Sequence, residues 1–333
     1  MIVPLWSLLL LATTAAELSN LAQQAAQAGQ TEQAEKLWRG ALDLDRRYFA
    51  AAFNLGLLYT NASKWEEAAA ILTQAAVIQP SDFNTHYLLG AAHARLGRGD
   101  DAIRAWRLAE RLHPERVGLL QLLIVEYGKG RYFSDAAQTA RAALALAPAE
   151  VNLRLMAIKA FQDAGETAEA AELARETVKR FPQHPRANFE HAFHLQRAGE
   201  NKEAFRYLET AMRLAPEYEE PFFLYGDLMV KMGQPAEALA PLRKAIANRG
   251  DFVAARIALA RALMQLDRLD EAAGELDEAV RRDSKQPQPH LLLSQIYFRL
   301  GKEDRAREEK NLSMRLRREN PATLEVAQGR AFR

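Results

Sequence analysis

Residues 49 to 82 read FAAAFNLGLLYTNASKWEEAAAILTQAAVIQPSD, and the reading of this stretch decides the fold. Its first half carries apolar residues at Phe53, Leu55 and Tyr59. Its second half carries Trp65, Ala68, Ala69, Leu72, Ala75 and Ala76, spaced by three and four as on one face of a helix. Two helices fit, and Pro80 falls at the end of the second, where a residue without an amide hydrogen stops a helix. Steps of 34 residues from Pro80 reach Pro114, Pro148, Pro182 and Pro216. The same step joins Ala34, Ala68, Ala102, Ala136, Ala170, Ala204, Ala238, Ala272 and Ala306. A third series reads Ala41, Ala75, Ala109, Ala143, Thr177, Ala211, Ala245, Ala279 and Ser313. Three registers held in phase along the chain establish a repeat free of insertions.

Most periods place glycine between the two helices, at Gly29, Gly97, Gly165, Gly199, Gly233 and Gly301, where a left-handed residue ends the first helix. Asp100, Glu166 and Asp270 stand near the start of the second helix, where carboxylates suit free amides and the helix dipole. The alanines imply two antiparallel helices crossing at close range, where extra methylenes would strain the contact. Side-chain volume is expected to compensate within each hairpin. Gly56 and Gly90 on the first helix are matched by Leu72 and Trp106 on the second, whereas Ile124 and Ile158 are matched by Ala140 and Ala174.

Lys plus Arg number 44 against 43 Asp plus Glu, so the formal charge of +1 supplies no field toward nucleic acid or acidic membranes. The chain has no cysteine, which removes disulfides, thiolate metal sites and cysteine nucleophiles. The apolar run Leu5 to Ala12 is too short to cross a bilayer but fits the core of an export signal, with small residues Thr14 and Ala16 before a cleavage point at Glu17. No Lys or Arg precedes that run; the other reading is an apolar N-terminal helix packed on the first repeat. Residues 1–16 are accordingly expected to be a signal peptide, 17–320 nine repeats and 321–333 a short tail. A periplasmic or secreted protein is expected from the signal, and a cytoplasmic one from the alternative.

The repeat resembles the tetratricopeptide repeat. Leu55-Gly56 with Tyr59, Leu89-Gly90, Tyr225-Gly226 and the alanine series match that family's pattern in place, with repeats starting near residues 15, 49, 83, 117, 151, 185, 219, 253 and 287. The resemblance implies an all-α, right-handed superhelical solenoid of stacked antiparallel hairpins that binds protein or peptide partners and is not an enzyme. It further implies a concave groove lined by the first helices. Carried over repeat by repeat, the groove positions are Phe53, Asn54 and Leu57, then Tyr87 with Leu88, Gln121 and Lys159. They continue with Phe189, Glu190, Phe193 and Arg197, then Phe223, Asp227 and Lys231, then Arg261, and finally Gln295 and Arg299. Asn54 fits the family's clamp for a C-terminal carboxylate, but Ser19, Gln23, Tyr87 and Ala91 stand where its basic partners belong. Apolar anchors with charged neighbours are expected instead.

His191-x-x-His194, with Glu190 and His184 nearby, has the spacing of a metal pair on a helix, yet these positions serve packing in the repeat. No catalytic residue, cofactor or metal is expected, and an enzymatic or metal site within the superhelix is the remote alternative. Arg98-Gly99-Asp100 and Gly128-Lys129-Gly130 read as turns, and Arg315 to Arg318 as a solvated helix end. The alanine-rich, arginine-rich, insertion-free character points to a bacterial source. The expected function is a scaffold that binds a partner peptide or helix in its concave groove within an envelope, secretion or appendage assembly, with a cytoplasmic adaptor as the alternative.

Overall fold

The computed structural model describes residues 14–319 as helices and the turns between them. Most of the expected signal segment and all of residues 321–333 lie outside the described residues. Eighteen helices are described, in nine hairpins: α1 Ala15–Gln27, α2 Thr31–Leu44, α3 Phe49–Asn61, α4 Trp65–Ile78, α5 Phe83–Arg95, α6 Gly99–Leu112, α7 Val117–Lys129, α8 Phe133–Leu146 and α9 Val151–Asp163, then α10 Thr167–Arg180, α11 Pro185–Arg197, α12 Asn201–Leu214, α13 Glu219–Lys231, α14 Pro235–Asn248, α15 Val253–Gln265, α16 Leu269–Arg282, α17 Pro287–Arg299 and α18 Glu303–Glu319. The chain divides into two compact units between Ala170 and Ala171, inside α10. In the first unit each helix from α1 to α9 packs on the next, and α1 also meets α3, α3 meets α5 and α7 meets α9. In the second unit the helices from α11 to α18 pack in the same order, with α11 on α13 and α13 on α15. First helices therefore lie side by side within each unit.

The small residues sit where the helices approach. Ala34, Ala68, Ala102, Ala204, Ala238 and Ala272 have no exposed surface, and neither do Ala41, Ala75, Ala109, Ala143, Ala211, Ala245 and Ala279. At the one interior departure, Thr177 is also fully buried, and its hydroxyl donates to the Leu173 carbonyl at 2.6 Å. The glycines of the first helices make room for a large neighbour. A β-carbon on Gly56 would lie 2.5 Å from Leu72 Cδ2, one on Gly226 would lie 2.5 Å from Leu242 Cγ, and one on Gly90 would enter the Trp106 ring. Where the first helix carries Ile124, both it and Ala140 are buried.

One backbone device ends every first helix. Gly29, Gly97, Gly165, Gly199, Gly233 and Gly301 have φ between 71° and 83°, and Ser63, Arg131 and Asp267 take the same turn at 57°, 63° and 60°. The next residue donates back into the helix, as Lys64 does to the Tyr59 carbonyl at 2.9 Å, satisfying a carbonyl left free at the end. The register demands this conformation whatever the side chain. The prolines at 80, 114, 148, 182 and 216 each lie two residues beyond a second helix. Ala306 and Ser313 are the buried residues of α18, whose other side chains are mostly charged; the Ser313 hydroxyl ties it to the Pro287 carbonyl at 2.7 Å. Such a polar helix suits an outer face turned to water. No helix among the described residues is long and apolar enough to cross a membrane.

Volume compensation is testable at the Gly226 and Leu242 pair. Gly226→Ala alone is expected to cost about 1 to 3 kcal/mol by overpacking, and Leu242→Ala alone about 2 to 5 kcal/mol by leaving a cavity. The double variant should be more stable than the sum by at least about 1 kcal/mol in denaturant unfolding, whereas simple additivity would reject the pairing.

Candidate partner-binding site

The expected groove residues fall on the first helices at a spacing of three and four, so that within each helix they form one stripe. In the first unit that stripe is apolar and partly open. Phe53, Asn54 and Leu57 on α3 are half-buried, and the Phe53 ring stacks on Phe49 at 5.8 Å. Tyr87 and Leu88 on α5 are also half-buried, Tyr87 stacking on Phe83 at 5.8 Å. The Tyr87 carbonyl accepts a hydrogen bond from the Trp106 indole at 3.1 Å, which ties the stripe to the packed interior. Gln121 on α7 donates to Glu150 at 2.8 Å, and Lys159 on α9 pairs with Asp163 at 2.9 Å. Both polar groups are engaged within the chain. Val125, one turn beyond Gln121, was not anticipated among the groove residues and is 47% exposed. Its register equals that of Leu57, which is the signal that could have found it.

The second unit closes the aromatic part of its stripe and leaves a charged end open. Phe189 on α11 is buried edge-on to Tyr218 at 5.5 Å, and Phe223 on α13 is buried against Phe252 at 4.9 Å. Glu190 is buried too, 3.7 Å from the Arg186 guanidinium. Burial, with Glu190 and Glu220 adding to it, holds the Tyr218 hydroxyl far above its usual range, so that it is a neutral phenol. Phe193 is half-buried with the Arg197 guanidinium over its ring at 5.8 Å. Asp227 and Lys231 pair at 2.6 Å, and Arg299 reaches Asp267 at 2.6 Å and the Met264 carbonyl at 3.1 Å. Gln295 is exposed, and Arg261 is half-buried with no ion-pair partner among the described residues. Phe298, also outside the anticipated set, is 70% exposed on α17.

The histidines near Glu190 belong to the packing. His184 caps α11, its Nδ1 accepting from the Ala187 amide at 3.3 Å. His191 and His194 are both buried, and the His191 ring meets Tyr207 edge-on at 4.7 Å with its Nδ1 unpartnered. Among the described residues no group of three or more His, Asp or Glu could hold a metal ion. Burial pushes the His194 imidazole down to about 4, helped by the nearby Arg197 and His191. His191 is lowered as well, first by burial, with Arg175 and Lys179 opposing its charge and Glu203 favouring it.

Two family profiles described as "Tetratricopeptide repeat" match the chain, one at residues 19–83, 61–117 and 155–219 and the other at 230–296. No curated protein matches. Among solved structures, a crystal structure of MamA protein is similar at 16% identity over 50% of this chain and 91% of that one, with a TM-score of 0.45. MamA 41-end from Desulfovibrio magneticus RS-1 is similar at 20% identity over 51% and 96%, with a TM-score of 0.46. Yeast Tom70 is similar at 15% identity over 92% and 76%, with a TM-score of 0.47.

The buried imidazoles set a direction for stability against pH. The unfolded chain takes up the His194 proton near 6.5 and the folded chain only near 4, so the unfolded state binds more protons between those values. Stability is complete above pH 6.5 and is expected to fall by about 3 kcal/mol as pH drops to 4. Thermal unfolding of the wild type and of His194→Gln from pH 7 to 4 checks this: the variant should lose less melting temperature over that interval, and parallel slopes would assign the acid loss elsewhere.

Proposed function

The chain belongs to the tetratricopeptide repeat family, and we propose that this interaction scaffold holds a partner peptide or helix along the stripe of its first helices. The observation that carries the reading is the partly open apolar row of the first unit, where Phe53, Leu57, Tyr87 and Val125 come from three consecutive hairpins. Aromatic and aliphatic side chains held in place by their own hairpins lose little freedom on binding, which makes them effective anchors. In the second unit the cations Arg197, Lys231 and Arg299 share one register position, with Arg261 a turn before it, so the first helices of that unit carry basic groups. The apolar row of the first unit supplies affinity, and the basic positions of the second select a partner segment by charge.

Export to the periplasm or cell surface, within an envelope, secretion or appendage assembly, is the proposed setting. Its support is the apolar run Leu5 to Ala12. Thr14 and Glu17 bear on where a cut could fall, since they form a capping box at the start of α1, with the Glu17 amide donating to the Thr14 hydroxyl at 3.2 Å. A cut before Glu17 would remove the cap, whereas one before Thr14 would keep it, a difference of about 1 kcal/mol in helix stability. A cytoplasmic adaptor is the second reading. N-terminal sequencing of protein from its native host separates them: a start near residues 14 to 17 supports export, and a start at Met1 or Ile2 supports the adaptor.

Affinity capture with the full chain, followed by titration of the partner so identified, tests the stripe. Tyr87→Ala with Val125→Glu is expected to weaken that partner at least tenfold while the fold persists. Phe189→Ala, which removes a buried ring, is expected to destabilise the fold by about 3 to 5 kcal/mol. Unchanged affinity in the Tyr87 and Val125 variant would remove the stripe from the binding site.

A further inference from the structure

A second feature lies away from the first-helix stripe. In the first unit, a cleft of about 600 Å³ runs along the second helix of the third hairpin, α6, which lines it with Asp100, Ile103, Arg104, Arg107, Leu108 and Arg111. These residues follow one another at three and four, a single stripe down the whole helix. The facing wall is Tyr127 at the end of α7, with Tyr132 and Asp135 at the start of α8. No other hairpin carries arginine at all three of the positions held by Arg104, Arg107 and Arg111. The neighbouring helices read Ala70, Thr73 and Val77 on α4, and Gln138, Arg141 and Ala145 on α8. The repeat does not require these arginines.

Their partners show which of them are held by the fold. Arg107 donates to the Tyr127 hydroxyl at 3.0 Å and lies 3.4 Å from Glu110, so its guanidinium is part of the hairpin junction. Arg104 pairs with Asp101 one turn back yet keeps 71% of its side chain exposed. Arg111 has no hydrogen-bond or ion-pair partner among the described residues. At the opposite end Asp100 accepts from the Tyr132 hydroxyl at 2.9 Å, with Asp135 beside it. Between the two ends Leu108 and Tyr132 are each 43% exposed. Exposed leucine, tyrosine and arginine in one cleft make an amphipathic surface, with Ile103 and Leu108 set among arginines along α6 and carboxylates at the Asp100 end.

We propose that this cleft is a second docking surface, which takes a polypeptide segment that lays an aliphatic side chain on Ile103 and Leu108 and a carboxylate on Arg111 and Arg104. The unpartnered guanidinium of Arg111 calls for an anion, and a planar carboxylate matches its fork of donors. The carboxylates of Asp100 and Asp135 disfavour a phosphate-rich ligand, which would meet like charge at that end. The cleft is lined by none of the anticipated groove residues, so a chain with both surfaces can hold two segments at once.

The test uses random twelve-residue peptides displayed on phage, selected on the full chain and counter-selected on an Arg104→Glu, Arg111→Glu variant. The first-helix stripe is intact in that variant, so peptides bound there are removed. The surviving peptides are expected to share a leucine or isoleucine next to Asp or Glu, and to lose at least tenfold in affinity on the charge-reversed variant. Leu108→Lys, made separately, should show the same loss, with both variants unfolding at the wild-type temperature because the altered side chains are exposed. Titration of one selected peptide should shift the methyl resonances of Ile103 and Leu108. Absence of enrichment, peptides without acidic residues, or methyl shifts confined to other residues would overturn the proposal. Those outcomes would leave binding through Tyr87 and Val125 untouched, so the two surfaces stand or fall separately.

Discussion

The close approach of two helices across buried alanine is the constraint from which the rest of this structure follows. With Ala68, Ala102, Ala204 or Ala238 at the crossing, each hairpin closes tightly, and no larger side chain fits without moving a helix. The space so removed is made up one layer away, where a glycine on the first helix admits Leu72, Trp106 or Leu242 from the second. Each hairpin is thus a nearly fixed block. The left-handed turn that ends each first helix, taken by glycine in six cases and by Ser63, Arg131 and Asp267 in three, keeps the two helices of the block in register.

Because the block is fixed, chemistry is confined to positions that the block does not use. On the first helices of each unit these positions form a stripe, whose open side chains include Phe53, Tyr87 and Val125 in the first unit and Arg197, Lys231 and Arg299 in the second. On the second helices they vary freely, and at α6 they carry three arginines beside exposed Leu108. A protein made this way recognises partners with side chains projecting from rigid helices, which fits binding by several modest contacts better than the convergence of groups that catalysis needs.

The period, the helix pairing and the buried alanines were legible in the sequence because each rests on a side-chain size repeated at one interval. Less was legible where the structure turns on conformation or on a neighbour. Ser63 and Arg131 give no sign of a left-handed backbone in their identity, and only their place in the register marks it, whereas Asp267 is of a type that takes this conformation more readily. Phe189 and Phe223 occupy groove positions, yet Tyr218 and Phe252 from the following turns cover them. Val125 is exposed at the register position of Leu57, and Phe298 is exposed next to the register position of Arg197 and Lys231; an aliphatic or aromatic residue in a helical period reads as core. The α6 cleft depends on the gap between one hairpin and the next, which a pattern within a single hairpin does not encode.

The most direct measurement of the central constraint compares leucine at buried and exposed alanines of the same helix type. Ala102→Leu and Ala204→Leu are expected to destabilise the chain by about 1 to 3 kcal/mol in denaturant unfolding, while Ala70→Leu, on the exposed face of α4, changes it by less than about 0.5 kcal/mol. Equal tolerance of leucine at all three sites would show that the helices are not held at the spacing on which this account rests.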